Sequence, residues 1–552
     1  MAFYGIPTPG LALTASTAGD TIQLFNNSTA VVSANTIIGL NGNDIINLGA
    51  EGYTATSNAS GQATFVLSGL SGSAVASGTI IVSGLLFGQD EIYSTGASFT
   101  TANSERAAGV GSVSGSVSVF GVITSEAAVR RIGGSQIFGN QDNDSIALGN
   151  QLTNLSASTI GGGAGNDLIG TYTYVNQQWT GSRISTASTF VASLIEGGGG
   201  NDVINIHTTG TIATTTIQGG AGNDIVTLSG VGNFDALQLL GGGDSDTISG
   251  QADFILGSTI AGGGGNDNLS ITASGAKNLL IAGDVFNVSD SVYDGSDTIN
   301  IDFVSGSAIS VQGGGGSDSI IFDTLGGANN VAGNLGNDTI VVKDTFSAST
   351  VYGGAGNDSI LLSGALLGNT FIFGGGGNDT INFAGDLGSG AAYSTTTVYG
   401  GLGADLFVAS AISGGTTLGV TFGYSALADS TISAMDVIAG NKTASGTYVL
   451  DFIPAGLTRG NYSGALSTGT DGVVTFTSTV DSDVSARYTI VNNEMTTVGA
   501  TVTFKDGAGA NYVFIQGGTS DDLIAQLGTA GTATIASTLT LIGQRQITID
   551  TN

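Results

Sequence analysis

The sequence has no cysteine, three prolines, one histidine and one tryptophan in 552 residues. Without thiols, neither disulfides nor thiolate-bound metals can hold the fold. A zinc-protease His-Glu-x-x-His helix needs two imidazoles, and here His207 stands alone with no Glu after it. No serine has glycine at both minus two and plus two, so the nucleophile elbow of a serine hydrolase is missing as well. Basic residues number 11 against 42 acidic ones, for a net charge of -31. Such a chain offers no basic patch to nucleic acid or to an anionic membrane. The longest apolar-looking stretch, residues 74–87, is broken by Ser and Gly and is too short to span a bilayer. Residues 1–9 have neither a basic nor an apolar region, and the first basic residue is Arg106, so no cleaved secretory leader is expected.

Only six of the acidic residues are Glu, so 42 − 6 = 36 are Asp. A generic acidic surface would use both. The bias fits turns and hard-metal ligands, and the positions of the Asp residues bear this out. Gly353-Gly354-Ala355-Gly356-Asn357-Asp358-Ser359-Ile360 is a glycine turn, one carboxylate, then an apolar residue two places on. The pattern recurs at residues 162–169, 197–204, 219–226, 262–269, 313–320, 374–381 and 400–407, with weaker copies ending at Asp44, Asp144, Asp246, Asp297 and Asp338. A Ca²⁺ ion takes about six to eight oxygen ligands at roughly 2.3–2.6 Å. Glycine lets a turn curl tightly enough to aim its carbonyls, and Asp adds charged oxygens on a short arm.

Apolar residues alternate after each turn (Ile320 and Phe322, Ile360 and Leu362, Ile381 and Phe383), and others precede each turn (Ile195, Ile217, Ile260, Val311, Val351, Ile372, Val398). Alternation predicts strands with one buried face. The Asp residues step by 20 to 22 positions in the runs 202, 224, 246, 267 and 297, 318, 338, 358, 379. Two short strands and two turns fit one such coil. The fold expected is all-β: a parallel β-roll or β-helix solenoid with one calcium-binding edge, the other edge built of variable turns such as residues 363–369, and a β-rich C-terminal domain. The expected ligand-bearing residues are Asp44, Asp144, Gly162, Gly165, Asp167, Gly197, Gly200, Asp202, Gly219, Gly222, Asp224, Asp246, Gly262, Gly265, Asp267, Asp297, Gly313, Gly316 and Asp318. The set continues with Gly333, Gly336, Asp338, Gly353, Gly356, Asp358, Gly374, Gly377, Asp379, Gly400, Gly403 and Asp405.

The Gly-Gly-x-Gly-x-Asp-x-apolar signature resembles the RTX (haemolysin-type) calcium-binding repeat family over roughly residues 36–410. In tandem repeats of that family the motif returns every nine residues and lines both edges; here it returns once per coil. The resemblance implies multiple Ca²⁺, roughly ten, and export through a type I secretion channel with an uncleaved C-terminal signal. It also implies a secreted, extracellular or cell-surface location.

Four segments follow: an N-terminal cap or contact arm (1–35), a first repeat with divergent coils or an insertion (36–135), the calcium roll (136–410), and a capping or assembly region (411–552). Longer coils at 170–194, 271–293 and 383–397 are expected to extrude loops, the first holding Trp179, Tyr172 and Tyr174. Short helices are compatible with 125–131 and 425–440, and β patterning with 63–67, 78–86, 113–123, 473–476, 486–491 and 500–504. Asp pairs such as Asp142/Asp144 and Asp521/Asp522 could do acid–base work, but metal ligation explains them with less, and no enzyme is expected. Like charges stacked about 4.8 Å apart repel by about 0.9 kcal/mol even at the dielectric of water. A roll without metal is therefore expected to be expanded. With catalysis set aside, the chain resembles secreted RTX surface-layer proteins: itself would be the main partner, in a surface layer or filament. The second reading is an adhesin or matrix protein that binds glycans or cells through the loops around Trp179.

Overall fold

A computed structural model of the chain describes residues 154–551 apart from short connecting segments, the longest being 285–294, 387–395 and 528–537. Before residue 154 it describes ten short strands. Asp44, Asp144, Asp142 and the β patterning at 63–67, 78–86 and 113–123 lie outside the described residues. The chain divides into two compact units, Met1–Asp294 and Gly295–Asn552.

In the first unit, parallel strands stack coil upon coil in strict register. Ile160, Ile195, Ile217, Leu239, Ile260 and Ile281 form one column, and Ile169, Ile204, Val226, Ile248 and Leu269 another. All are fully buried. A third column, Leu155, Phe190, Ile212, Phe234 and Ile255, shows that each coil carries three strand segments rather than two. The extra segment is only two or three residues long in most coils, such as Asn233–Asp235, too brief to show an alternation of its own. A single strand, Asn268–Asp284, runs through the whole wall of the coil at 271–293, so the surplus residues of that coil fall in 285–294. The long coil at 170–194 does extrude a feature, the antiparallel hairpin of Tyr172–Val175 and Gln178–Gly181, with Trp179 paired to Tyr174.

The second unit repeats the plan. Val311, Val331 and Val351 stack in register, as do Val351, Ile372 and Val398; Ile299, Ile320, Ile340, Ile360, Ile381 and Phe407 form the column across from them. Outside the wall, Tyr352, Phe373 and Tyr399 stack face to face at 4.7 and 4.9 Å between ring centroids. Strand Val420–Tyr424 pairs with Gly446–Phe452, which is in turn covered by the antiparallel strand Gln546–Thr551. On the adjoining wall Asp436–Lys442 pairs with Leu523–Leu527, the first strand of an antiparallel sheet. That sheet and one helix enclose a separate core of Val491, Met495, Val502, Phe504, Phe514 and Ile524.

Three local expectations are overturned. The helix expected within 425–440 is one short 3-10 turn, Leu427–Asp429, followed by the strand Asp436–Lys442, because the wall column claims Val437 and Ile438. The β pattern at 486–491 belongs to the helix Val484–Glu494; Asp483 caps its N-terminus by accepting from the Ser485 and Ala486 N–H groups. The helix expected at 125–131 is a strand where described, Val129–Gly133.

Burying an Ile side chain is worth about 1.5–3 kcal/mol, and a truncation that leaves a cavity costs about 2–5 kcal/mol. Ile217→Ala, in the middle of a fully buried column, should therefore lower the denaturation midpoint of the calcium-loaded protein by an amount in that range. Ile225→Ala, at a position 46% exposed one turn later, should stay within about 0.5 kcal/mol of the unchanged protein.

Candidate metal centre

Each glycine turn places its Asp in one column. In the first unit Asp167, Asp202, Asp224, Asp246 and Asp267 are joined: the N–H of each donates to Oδ1 of the next, at 2.6–2.7 Å. In the second unit Asp297, Asp318, Asp338, Asp358, Asp379, Asp405 and Asp436 are joined the same way at 2.8–2.9 Å. All are 3% exposed or less. After the first Asp of each run, one oxygen of each carboxylate thus serves the backbone of the neighbouring coil. The other, Oδ2, is buried without a hydrogen-bond partner at Asp202, Asp224, Asp246, Asp338, Asp358, Asp379 and Asp405. A buried charged oxygen left unmatched is costly, and ion-binding columns are one of the few arrangements that repay it.

The first glycine of the motif makes room for this oxygen. A Cβ on Gly219 would lie 2.3 Å from Asp224 Oδ2 and 2.6 Å from the carbonyl oxygen of Gly241 in the next coil. The same two kinds of atom crowd Gly162, Gly197, Gly241, Gly313, Gly333, Gly353 and Gly374; Gly262 and Gly400 are crowded by their own Asp267 and Asp405. A carboxylate oxygen and a main-chain carbonyl from the next coil therefore converge beside most of the first glycines. Carboxylate and carbonyl oxygens are the donors a hard cation takes. Among the described residues no three acidic or imidazole side chains come together, so the residues that fit Ca²⁺ do so as a ladder of single carboxylates with carbonyls, not as a carboxylate cage.

The fourth position does different work. Gly165, Gly200, Gly222, Gly265, Gly316, Gly336, Gly356, Gly377 and Gly403 have φ between 91° and 135°, and at Gly200, Gly356 and Gly377 the N–H donates to the next coil's position-three carbonyl. In the weaker copy at Asp246 that place holds Asp244 at φ 70°. Sequence reasoning did not single out Gly241 and Gly242, which complete this copy. Just outside the Asp column lies an exposed Asn/Ser column with bonds running in the opposite sense: Asn201 N–H to Asn166 Oδ1 at 2.8 Å, Asn223 N–H to Asn201 Oδ1 at 3.0 Å.

The second edge carries a ladder that sequence reasoning missed. Ala157, Ala192, Thr214, Ala236, Ala308 and Ala348 hold φ between 46° and 54°. Each precedes a buried position. Across coils, Ser158 N–H donates to Ser193 Oγ, Leu237 N–H to Ser258 Oγ, Ile309 N–H to Asn329 Oδ1 and Asn329 N–H to Ser349 Oγ. This edge uses neutral acceptors where the other uses carboxylates. The signal was a small residue and a Ser, Thr or Asn two or three places before the apolar wall residue. His207 Nδ1 lies 3.0 Å from Ser229 Oγ on a wall strand.

Burial pushes the carboxyls well above the usual carboxylate range: Asp202 and Asp405 to about 6, and Asp224, Asp246, Asp338 and Asp379 to about 7, with the backbone N–H bonds pulling the other way. Asp436 is pushed up to about 9, by burial first and by Asp405 second.

The repeat model for the RTX calcium-binding nonapeptide matches residues 33–51, 192–205, 209–230, 344–364 and 366–386, which include the turns of Asp202, Asp224, Asp358 and Asp379. No curated protein matches the chain. Among solved structures it is similar to a hyperactive, Ca²⁺-dependent, β-helical antifreeze protein from an Antarctic bacterium, at 17% identity and a TM-score of 0.30, over 74% of this chain and 85% of that one.

Two predictions follow from the turn. Gly219→Ala should raise the calcium midpoint of folding, followed by circular dichroism, by about tenfold or more, since something must shift when a Cβ meets those oxygens. Gly243→Ala, where a Cβ would meet nothing within 4 Å, should leave the midpoint nearly unchanged.

The pH dependence has a definite sign. A carboxyl whose pKa is higher in the metal-free fold than in the unfolded chain stabilises that fold fully below about pH 4, and the stabilisation is lost as pH rises through 6–7. In chelator, the roll should be compact at pH 4–5 and expand by pH 8, as read by sedimentation. Calcium uptake at pH 6 should release protons. Repeated turns, a column of orphaned carboxylate oxygens and the matching repeat model agree: the chain carries calcium-binding repeats of the RTX type.

Proposed function

We propose that this chain is an exported structural protein that folds on calcium outside the cell and assembles with its own copies into a surface layer or extracellular filament, and that it is not an enzyme. The observation that carries the reading is the column of buried carboxylates in each unit, with one oxygen left over at Asp202, Asp224, Asp246, Asp338, Asp358, Asp379 and Asp405. Bound Ca²⁺ supplies the positive charge those oxygens want, about +20 for roughly ten ions against a formal -31. The residues do the rest. Glycines aim carbonyls at the column, Asp Oδ1 atoms fix the register of the next coil, and isoleucines close the wall behind.

Extracellular calcium sites bind at about 10⁻⁴–10⁻³ M, so cytosolic calcium leaves such a ladder empty and the chain expanded. An expanded, cysteine-free chain suits a type I channel. Among the described residues, no helix is long and apolar enough to cross a membrane. A repetitive wall, few basic residues and no catalytic constellation in the sequence support a role as building material. The adhesin reading is supported by the hairpin that sets Trp179 across from Tyr174 outside the repeat.

The test is one preparation purified in chelator, then brought to millimolar calcium and followed by circular dichroism and negative-stain microscopy. β-structure followed by regular sheets or filaments is the expected result. β-structure with only monomers would sink the assembly role and move the function to adhesion.

A further inference from the structure

One wall of the second unit turns aromatic residues outward. Its strands Gly306–Gly314, Asn330–Leu335, Thr350–Ala355, Phe371–Gly376 and Thr396–Leu402 lie side by side in parallel and hold no charged side chain. Side chains alternate along a strand, so Val351, Ile372 and Val398 face the core and the residues after them face out. Those residues are Tyr352, Phe373 and Tyr399, stacked in succession with interplanar angles of 9° and 5°. Phe371 stands beside the stack, its ring centroid 6.5 Å from that of Phe373, and Tyr352 and Phe371 are each 40% exposed. Leu335 and Leu402, at the turn ends of the same strands, are 46% and 59% exposed. A contiguous apolar patch of this kind marks an interaction surface, where singly scattered residues would not.

The chemistry of the face narrows its occupant. A sugar binds an aromatic side chain by laying its C–H groups on the electron-rich face of the ring. Here the faces are used up. Phe373 lies between Tyr352 and Tyr399, and Tyr399 covers Gly423 on its far side, where a Cβ would lie 2.2 Å from Tyr399 Cε1. The stack therefore offers ring edges, which suit a flat apolar partner. Charge narrows the choice further. A basic partner would be drawn to the acidic residues elsewhere on the chain. A second copy, which also carries -31, is repelled least where neither surface is charged. Five strands about 4.8 Å apart, with about six residues each rising about 3.3 Å, make a face of about 500 Å². Two such faces bury about 1,000 Å², the lower limit for a specific interface.

We propose that two copies of the chain pack this wall of the second unit face to face, with the edges of Tyr352, Phe373 and Tyr399 at the centre of an isologous contact. The inference rests on the assembly reading and deepens it by naming the surface through which one copy meets the next. A two-fold contact closes on itself, so the pair is the building block, and a layer or filament grows from pairs through other surfaces. The small area makes the pairing reversible.

The test is sedimentation velocity of the full-length, calcium-loaded chain over a range of concentrations. The unchanged protein should pass from monomer to dimer as concentration rises. Phe371→Glu sets a charge into the contact from both copies and should raise the dimer dissociation constant about tenfold or more. Ile225→Glu adds the same charge at a site 46% exposed in the first unit and should leave the constant within about twofold. Because the chain has no cysteine, Phe371→Cys takes a single environment-sensitive dye, whose emission should shift to the blue over the same concentrations. That variant decides if Phe371→Glu fails to fold. A dimer that forms without the shift, or equally well in Phe371→Glu, overturns the contact and leaves assembly standing. A chain that stays monomeric overturns the contact, and if it also forms no sheets or filaments the assembly reading falls with it. A dye shift caused by cellohexaose on a monomeric chain overturns the contact too and gives the face to a glycan.

Discussion

The structure depends on stacking one carboxylate per coil in a column sealed from water. Like charges at coil spacing repel, and burial sharpens the repulsion. The chain answers with two devices on each Asp. Oδ1 accepts a main-chain N–H from the neighbouring coil, which locks register. Oδ2 is turned toward the next coil's glycine carbonyl, where only a cation or a proton relieves it. Fold and ligand are therefore one problem: the same residue that sets the coil-to-coil register makes the coil unstable without positive charge.

The two edges of the roll show what that choice does. Both need an acceptor for the main-chain N–H at a tight turn. The Ser/Asn edge supplies a neutral one and accepts left-handed alanines in return, a conformation that costs about 1–2 kcal/mol per residue. Such an edge is indifferent to metal. The Asp edge places glycines at its left-handed positions in nearly every coil and uses a charged acceptor, which ties its stability to ions. A chain with neutral ladders on both sides would fold wherever it was made. The charged edge is where the proposed dependence of folding on the medium would lie.

Much of this was legible in the sequence because the constraint repeats. Asp358 and its copies fixed the period, and Ile360 and Val351 with their copies fixed the walls on either side of the turn. What stayed hidden was short, degenerate or used once. Segments such as Ile212–Ala213 hold two residues and cannot display a period. The second ladder alternates among Ser, Thr and Asn, three residue types that do one hydrogen-bonding job and spell no motif. The helix at Val484–Glu494 has β-branched residues in its second half; a cap from Asp483 and packing of Val491 and Met495 decide the matter.

Ser430, whose Oγ accepts the Asp436 N–H, was hidden for another reason: it is an exception to the pattern, and pattern reading discards exceptions. Yet a solenoid needs them. Each coil satisfies its neighbour, so an uninterrupted repeat leaves open strands and an unanswered carboxylate at its last turn. Here the strands are answered by Leu523–Leu527 and Gln546–Thr551. The N–H of the last Asp, Asp436, is answered by Ser430, while its Oδ2 stays buried without a partner. The cap that answers the strands carries a hydrophobic core of its own, so the end of the roll is held by packing as well as by paired strands.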